Sequence, residues 1–413
     1  MGMRNTKAKV LASILVLAGT LGFSLFAIAG SLEPSAPPGP TMKTLDEVEP
    51  GTPISSAPYT ISESGYYYLA ANVQVSSSLF HGITIWADNV TLDLKGFALI
   101  GEGTAGKHGV IVEGSYKNIK ICNGTVRNCG GNGIEANTAT NSQLEKLRVT
   151  DNRGIGIRVG ESGIIKDCTA LSNGNNGIEL DYSCTITECT ARLNGGAGFS
   201  VGGGGTITNC SASRNTGTGI LCRDYSCTVT SCTAVANTVN GITVPNGSTV
   251  NCCTARGSGA IGIDADGDST VSECSAVFNG GDGITATTRC TIKDCTVSVN
   301  GSDGIEVENN CLVSGSTCSK NGFVSGNSAG IHVTGSGNRI DGNNVTDNDV
   351  RGIDVDGTQN IIIKNTATGH YVGAIPNAYT IVSGNAVGQI LSVITLDYIT
   401  SGNPWANFYY SLL

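Results

Sequence analysis

The sequence predicts a right-handed parallel β-helix, a solenoid of about 12–14 coils with three short strands per coil and a cap at each end. Three observations predict it. Glycine supplies 58 of 413 residues, while charged residues are 14% and aromatics 5%. Such a chain turns often and builds its core without large rings. A glycine followed by an apolar residue recurs from Gly109-Val110 through Gly133-Ile134, Gly156-Ile157 and Gly177-Ile178 to Gly352-Ile353. The steps are 24, 23, 21, 21, 21, 22, 21, 21, 21, 26 and 22 residues. Cysteine and asparagine recur at the same period in columns of their own. A period held over so many steps marks stacked repeats.

From the N-terminus, Arg4, Lys7 and Lys9 precede an apolar stretch from Val10 to Phe26, and Ala27-Ile28-Ala29 supplies small residues for cleavage. Residues 1–29 therefore read as a signal peptide, and the protein as secreted, extracellular or held at the cell surface. Removing that segment moves the net charge from −9 to −12. So acidic a chain is a poor partner for nucleic acid, and no membrane contact is expected beyond the export signal. Seven of the ten prolines lie between Pro34 and Pro58, which makes 30–57 a linker or extended arm. Residues 58–108 are expected to form an N-terminal cap and the first irregular coils, and 109–373 the regular repeats. Residues 374–413 form a C-terminal cap that covers the last open edge.

The coil is clearest in "GIELDYSCTITECTARLNGGA" (177–197). Ile178, Glu179 and Leu180 alternate as a short strand with its apolar residues inward. A second strand forms around Ile186 and a third through Ala191, with corners at Cys189 and Asn194. Stacked ~4.8 Å apart, such coils turn each repeat position into a column. Two columns are apolar core, each side chain contributing about 1.5–3 kcal/mol on burial. A third runs Cys168, Cys189, Cys210, Cys232, Cys253, Cys274 and Cys295, with Ser316, Asn343 and Asn365 in the same place later. Seven equivalent cysteines cannot all pair within one column, so these read as buried free thiols. Cys290 and Cys311, 21 apart and off that column, are the better disulfide candidates in an exported chain. A fourth column is asparagine, from Asn152 and Asn173 to Asn321, and reads as a hydrogen-bonded ladder.

This pattern resembles the secreted right-handed parallel β-helix repeat proteins, whose fold is shared with pectate lyases and polygalacturonases. The resemblance covers residues 109–373. The start "GPTMKTLDEVEPGTPIS" and the tail "NPWANF" (403–408) also look like the flanks of a bacterial subfamily. Relatives of the polygalacturonase type use aspartates from adjacent coils, but their "NTD", "GHG" and "RIK" signatures are missing here. The resemblance therefore implies architecture more than activity.

Chemistry is expected on outward positions beside the first strand. Asp282 and Asp303 each stand just before a Gly-Ile pair, and Glu306 lies in the column of Asp264 two coils away, with Thr285 between. These carboxylates read first as polar residues solvating turns. As catalytic candidates Asp282, Asp303 and Glu306 would work as paired carboxyls. As a calcium site Asp264, Asp266, Asp282 and Asp303 would share a hard cation that relieves their repulsion. A glycan-binding alternative comes from "DYSC" at 181–184 and 224–227, two coils apart, with "GGGG" (202–205) between. Tyr182 and Tyr225, with Asp181 and Asp224, would then flank a slot ~9.6 Å wide above a glycine floor. His81 and His108 are expected to stack on each other, and His332 to stand isolated. The expected function is a non-catalytic carbohydrate-binding or cell-surface structural protein whose partner is an extracellular polysaccharide or cell-surface glycan. The alternative is a polysaccharide-active lyase, hydrolase or epimerase that uses carboxylates on adjacent coils, with calcium as its cofactor.

Overall fold

The structure, a computed structural model, describes residues 51–75, 79–103, 106–324, 328–368, 377–393 and 402–410. The expected signal peptide lies outside the described residues, with most of the arm and parts of the C-terminal region. Among the described residues no helix is long and apolar enough to cross a membrane.

The chain winds as a parallel β-solenoid. Fifteen first strands pair side by side in one parallel sheet, from Tyr59–Ile61 through Ile178–Leu180 to Tyr379–Ile381. The second and third strands of the coils line the other faces. Two early strands, Lys120–Arg127 and Gln143–Thr150, run through the corner between those faces and join them into one sheet. Register is one-to-one: Ile178 pairs Ile157 below and Phe199 above. The inward residues Ile157, Ile178, Phe199, Ile220, Ile242 and Ile263 are fully buried, as are Ile165, Ile186 and Ile207 on the second face. The column that the Gly-apolar pairs predict is therefore the core.

Each such pair needs its glycine because adjacent coils approach closely there. A Cβ on Gly198 would lie 2.6 Å from the Gly219 carbonyl oxygen and 2.7 Å from Asn215 Nδ2. Corners follow one rule: a left-handed residue, then a small buried polar one. Leu193 (φ 56°) precedes Asn194, Glu188 (φ 56°) precedes Cys189, and Ser183 (φ 56°) precedes Cys184. The buried residue accepts the backbone N–H of its counterpart one coil below. Asn173 N and Nδ2 each donate to Asn194 Oδ1 at 3.0 Å, so the expected asparagine ladder is present.

The coils begin earlier than expected. Thr52–Ile54, inside the segment read as an arm, pairs with Tyr67–Leu69. Tyr59–Ile61 and Ile83–Ile85, in the segment expected to hold the first irregular coils, belong to the first sheet. The tail strand Asn407–Tyr410 pairs Thr366–Thr368, and Asn407 Oδ1 accepts the N–H of Asn365 at 2.9 Å. The "NPWANF" segment thus adds the last rung to the cysteine column. All sixteen cysteines are free thiols, Cys290 and Cys311 included. That pair belongs to a further corner ladder in which Cys290 N donates to Cys311 Sγ at 3.3 Å and Cys311 N to Asn338 Oδ1 at 2.7 Å.

Candidate functional site

Where the residue before a Gly-apolar pair is polar, its side chain bonds the next coil at the entry to the first sheet; Ile155, Ala197, Ile261 and Ala329 take that place in other coils and offer only their backbone N–H. His108 N donates to His81 Nδ1 (3.0 Å), Asn132 N to His108 Nδ1 (2.9 Å), and Ala197 N to Asn176 Oδ1 (2.8 Å). Higher up, Ile261 N donates to Asn240 Oδ1 (3.1 Å), Asp303 N to Asp282 Oδ1 (2.8 Å) and Ala329 N to Asp303 Oδ1 (2.5 Å). Histidine, asparagine and aspartate do one task here, accepting the N–H of the next coil. Asp282 and Asp303, expected as catalytic carboxylates, therefore each commit one oxygen to holding coils together. The histidine rings of His81 and His108 stack as expected, with centroids 5.0 Å apart.

The same residues reach three positions forward to the outward side chain of the first strand. Asn176 Nδ2 donates to Glu179 Oε2 at 2.6 Å, and Asn240 Nδ2 to Thr243 Oγ1 at 3.0 Å and Asp264 Oδ2 at 3.1 Å. Thr285 Oγ1 donates to Asp282 Oδ2 at 3.4 Å. The outward column itself is the functional candidate, because its members point away from the core. In register it runs Thr243, Asp264, Thr285, Glu306, His332 and Asp354. Asp264 and Glu306 thus stand two coil rises apart, about 9.6 Å. Burial pushes the Glu306 carboxyl above its usual pKa, with the charges of Asp282 and Asp303 adding to it. Burial likewise raises Asp264, helped by Asp266 and Asp282.

His332 is not isolated. Its Nδ1 lies 2.9 Å from Asp303 Oδ2 and its Nε2 3.2 Å from Asp356 Oδ2. The Asp303 hydrogen bond is the main cause that pushes its pKa up to about 9. The signal was present in the sequence, since His332 and Asp354 follow Gly330 and Gly352 at the spacing that puts Glu306 after Gly304. The 26-residue step between Gly304 and Gly330 interrupts the period at this point and hides the match.

Two groupings among the described residues bring ligating atoms within 4.8 Å of one another: Asp303, Glu306 and His332, and His332, Asp354 and Asp356. Of the four aspartates expected to hold calcium, only Asp303 belongs to either. Asp282 and Asp264 are turned to the bonds described above, and Asp266 is exposed. Asp268 is exposed too, in a two-bond ion pair with Arg289 at 2.6 Å for each bond.

Lower on the same face the column is an ion ladder. Arg158 Nε lies 3.2 Å from Glu179 Oε1, and Arg223 Nη2 lies 3.8 Å from Asp181 Oδ1. The two tyrosines flank this ladder, both exposed, but their ring centroids are 6.1 Å apart, not ~9.6 Å. The glycine floor is the cause. A Cβ on Gly203 would sit 2.8 Å from the Tyr225 ring, so the bare backbone lets that ring lean across toward Tyr182. The pair makes one stacked platform and leaves no slot. Asp224 takes a left-handed turn conformation beside it (φ 69°).

A family model described as "Right handed beta helix region" matches residues 69–223, 185–270 and 259–370. No curated protein matches the sequence significantly. Among solved structures, the chain is similar to the A-module of the Azotobacter vinelandii mannuronan C-5 epimerase AlgE6. The TM-score is 0.52 and the identity 17%, over 73% of this chain and 90% of that one. It is more distantly similar to the Dettilon tailspike protein (TM-score 0.39, 14% identity, 84% of this chain and 62% of that one). The catalytic domain of a GH87 alpha-1,3-glucanase gives a TM-score of 0.41 at 12% identity, over 74% of this chain and 70% of that one. At these identities the likeness is one of fold.

Proposed function

The chain belongs to the right-handed beta helix family, and from that premise we propose that it acts on a polysaccharide laid along the outward face of its first sheet. The observation that carries this reading is Glu306: a half-buried carboxyl with a raised pKa, on an open sheet face, two coils from a second such carboxyl, Asp264. Glu306 donates the proton to the departing glycosidic oxygen and Asp264 activates water from the other side. A separation of about 9.6 Å lies just above the range for inverting hydrolysis, ~6.5–9.5 Å, and well above the ~5–5.5 Å of retaining enzymes. Thr285 lies between them in register and leaves the room that a water needs. Hydrogen bonding supports this better than it supports the Asp282–Asp303 pair: Asp264 holds one partner, Asn240, whereas all four carboxylate oxygens of Asp282 and Asp303 are engaged.

A second reading, glycan binding without turnover, is favoured by one separate observation. The stacked, exposed rings of Tyr182 and Tyr225 offer an aromatic platform beside Asp181 and Asp224, suited to a sugar face. Export of the mature chain, as its N-terminal segment implies, would place either activity outside the cell. The test is a screen of residues 30–413 against neutral and uronic polysaccharides, with and without calcium. Product formation that falls at least ~100-fold in Glu306→Gln is the expected result. Binding without turnover, lost in Tyr182→Ala with Tyr225→Ala, would replace the first reading with the second. Neither binding nor turnover would overturn both.

A further inference from the structure

We propose that His332, Asp354 and Asp356 form a binding site for a divalent first-row transition metal ion, of the manganese or zinc class. The three ligating atoms lie within 4.8 Å of one another, on successive coils that pair His332 with Asp354 in register. Two further residues stand where a metal site needs support. Asp303 Oδ2 lies 2.9 Å from His332 Nδ1 and holds the proton there, so a metal ion binds at Nε2, which faces Asp356 Oδ2 at 3.2 Å, by displacing the proton of that nitrogen. Metal-bound histidines are commonly held by a carboxylate in this way. Arg351 Nη1 donates to Asp354 Oδ2 at 2.6 Å and orients that carboxylate.

The second observation is the other oxygen of Asp354. Its side chain is 2% exposed, and Oδ1 is buried with no hydrogen-bond partner. A buried carboxylate oxygen with nothing to accept is costly, and a cation shared with His332 and Asp356 would relieve it. Asp356 is 60% exposed, which leaves the grouping open to solvent for entry and for bound water. One imidazole with two carboxylates suits manganese or zinc. Calcium, which takes six to eight oxygens, fits the set less well. This site differs from the one formed by Glu306 and Asp264, and its test involves no polysaccharide.

The probe is Mn²⁺, which unlike zinc has little affinity for the sixteen thiols and whose free aqua ion has a distinct electron paramagnetic resonance signal. Titrating residues 30–413 with Mn²⁺ should quench that signal to a stoichiometry of one ion per chain. Asp356→Asn, at an exposed position that does not threaten folding, should weaken uptake at least tenfold, and His332→Ala more. Asp303→Asn, which keeps the ladder bond and loses the carboxylate on Nδ1, should weaken it about tenfold. Asp266→Asn, an acid on the same face in neither grouping, should change nothing. An unquenched signal with the unaltered chain would overturn the proposal. So would uptake unaffected by Asp356→Asn and His332→Ala, or uptake weakened as much by Asp266→Asn, which would mean general attraction to acids.

Discussion

His108 and Asn132 do the same work with different side chains, each accepting the backbone N–H of the next coil. The difference is that the imidazole can be protonated where the amide cannot. Burial, then the neighbouring His81, lowers the His108 pKa to about 4, and burial also lowers His81. Lys107 disfavours protonation of both, while Glu113 pulls His81 the other way. Between pH 6.5 and about 4 the folded chain therefore binds fewer protons than the unfolded one. The stability from these rings is complete above pH 6.5 and is lost as pH falls through 4. Thermal unfolding followed by circular dichroism should show a midpoint that drops across that window. His108→Asn, which keeps the acceptor, should shrink the drop. An equal drop in the variant would contradict this account of the column.

At the scale of the element, the corner is the unit that repeats, and three ladders run along the solenoid. Cysteine, serine and asparagine exchange within them because each is small, buried and able to accept an N–H. Cys295 N donates to Ser316 Oγ, Ser316 N to Asn343 Oδ1 and Asn343 N to Asn365 Oδ1. Cysteine is thus a ladder residue and not a cross-link. Only Cys252 is exposed, at the left-handed position before Cys253. A thiol assay on the folded chain without reductant should count one rapidly reacting group, and sixteen in denaturant. A shortfall in denaturant would mean disulfides and would contradict the ladder assignment. These elements were legible in the sequence because the register is one-to-one, so a period of 21 converts directly into a column. What escaped was local geometry within a column. The lean of Tyr225 depends on what the coil between lacks, namely the Gly203 side chain. Irregular coils are expected only from residue 58, and the strand Thr52–Ile54, with no period to announce it, pairs with Tyr67–Leu69 all the same.

Across the described solenoid, the first-sheet face changes character along its length. Glu135, Arg158, Glu179 and Arg223 alternate in charge near its start, whereas from Asp264 to Asp356 the face is mainly acidic with His332 and Arg351 set among the acids. Outward positions leave the apolar core of each coil undisturbed, so charge accumulates there. Glu135, Glu179 and Asp354 are themselves buried, and each has an arginine beside it. The fold also separates two kinds of acid that look alike in the sequence: those before the Gly-Ile pair, which join coils, and those after it, which form the outward column of the first sheet. Comparing Asp282→Asn with Glu306→Gln in polysaccharide turnover tests that separation most directly. Asparagine already holds the Asp282 position in other coils, so Asp282→Asn should retain stability and stay within a few-fold of full turnover. Glu306→Gln should fold normally and lose ~10²–10⁴-fold. The reverse order, with Asp282→Asn inactive and Glu306→Gln active, would contradict the account.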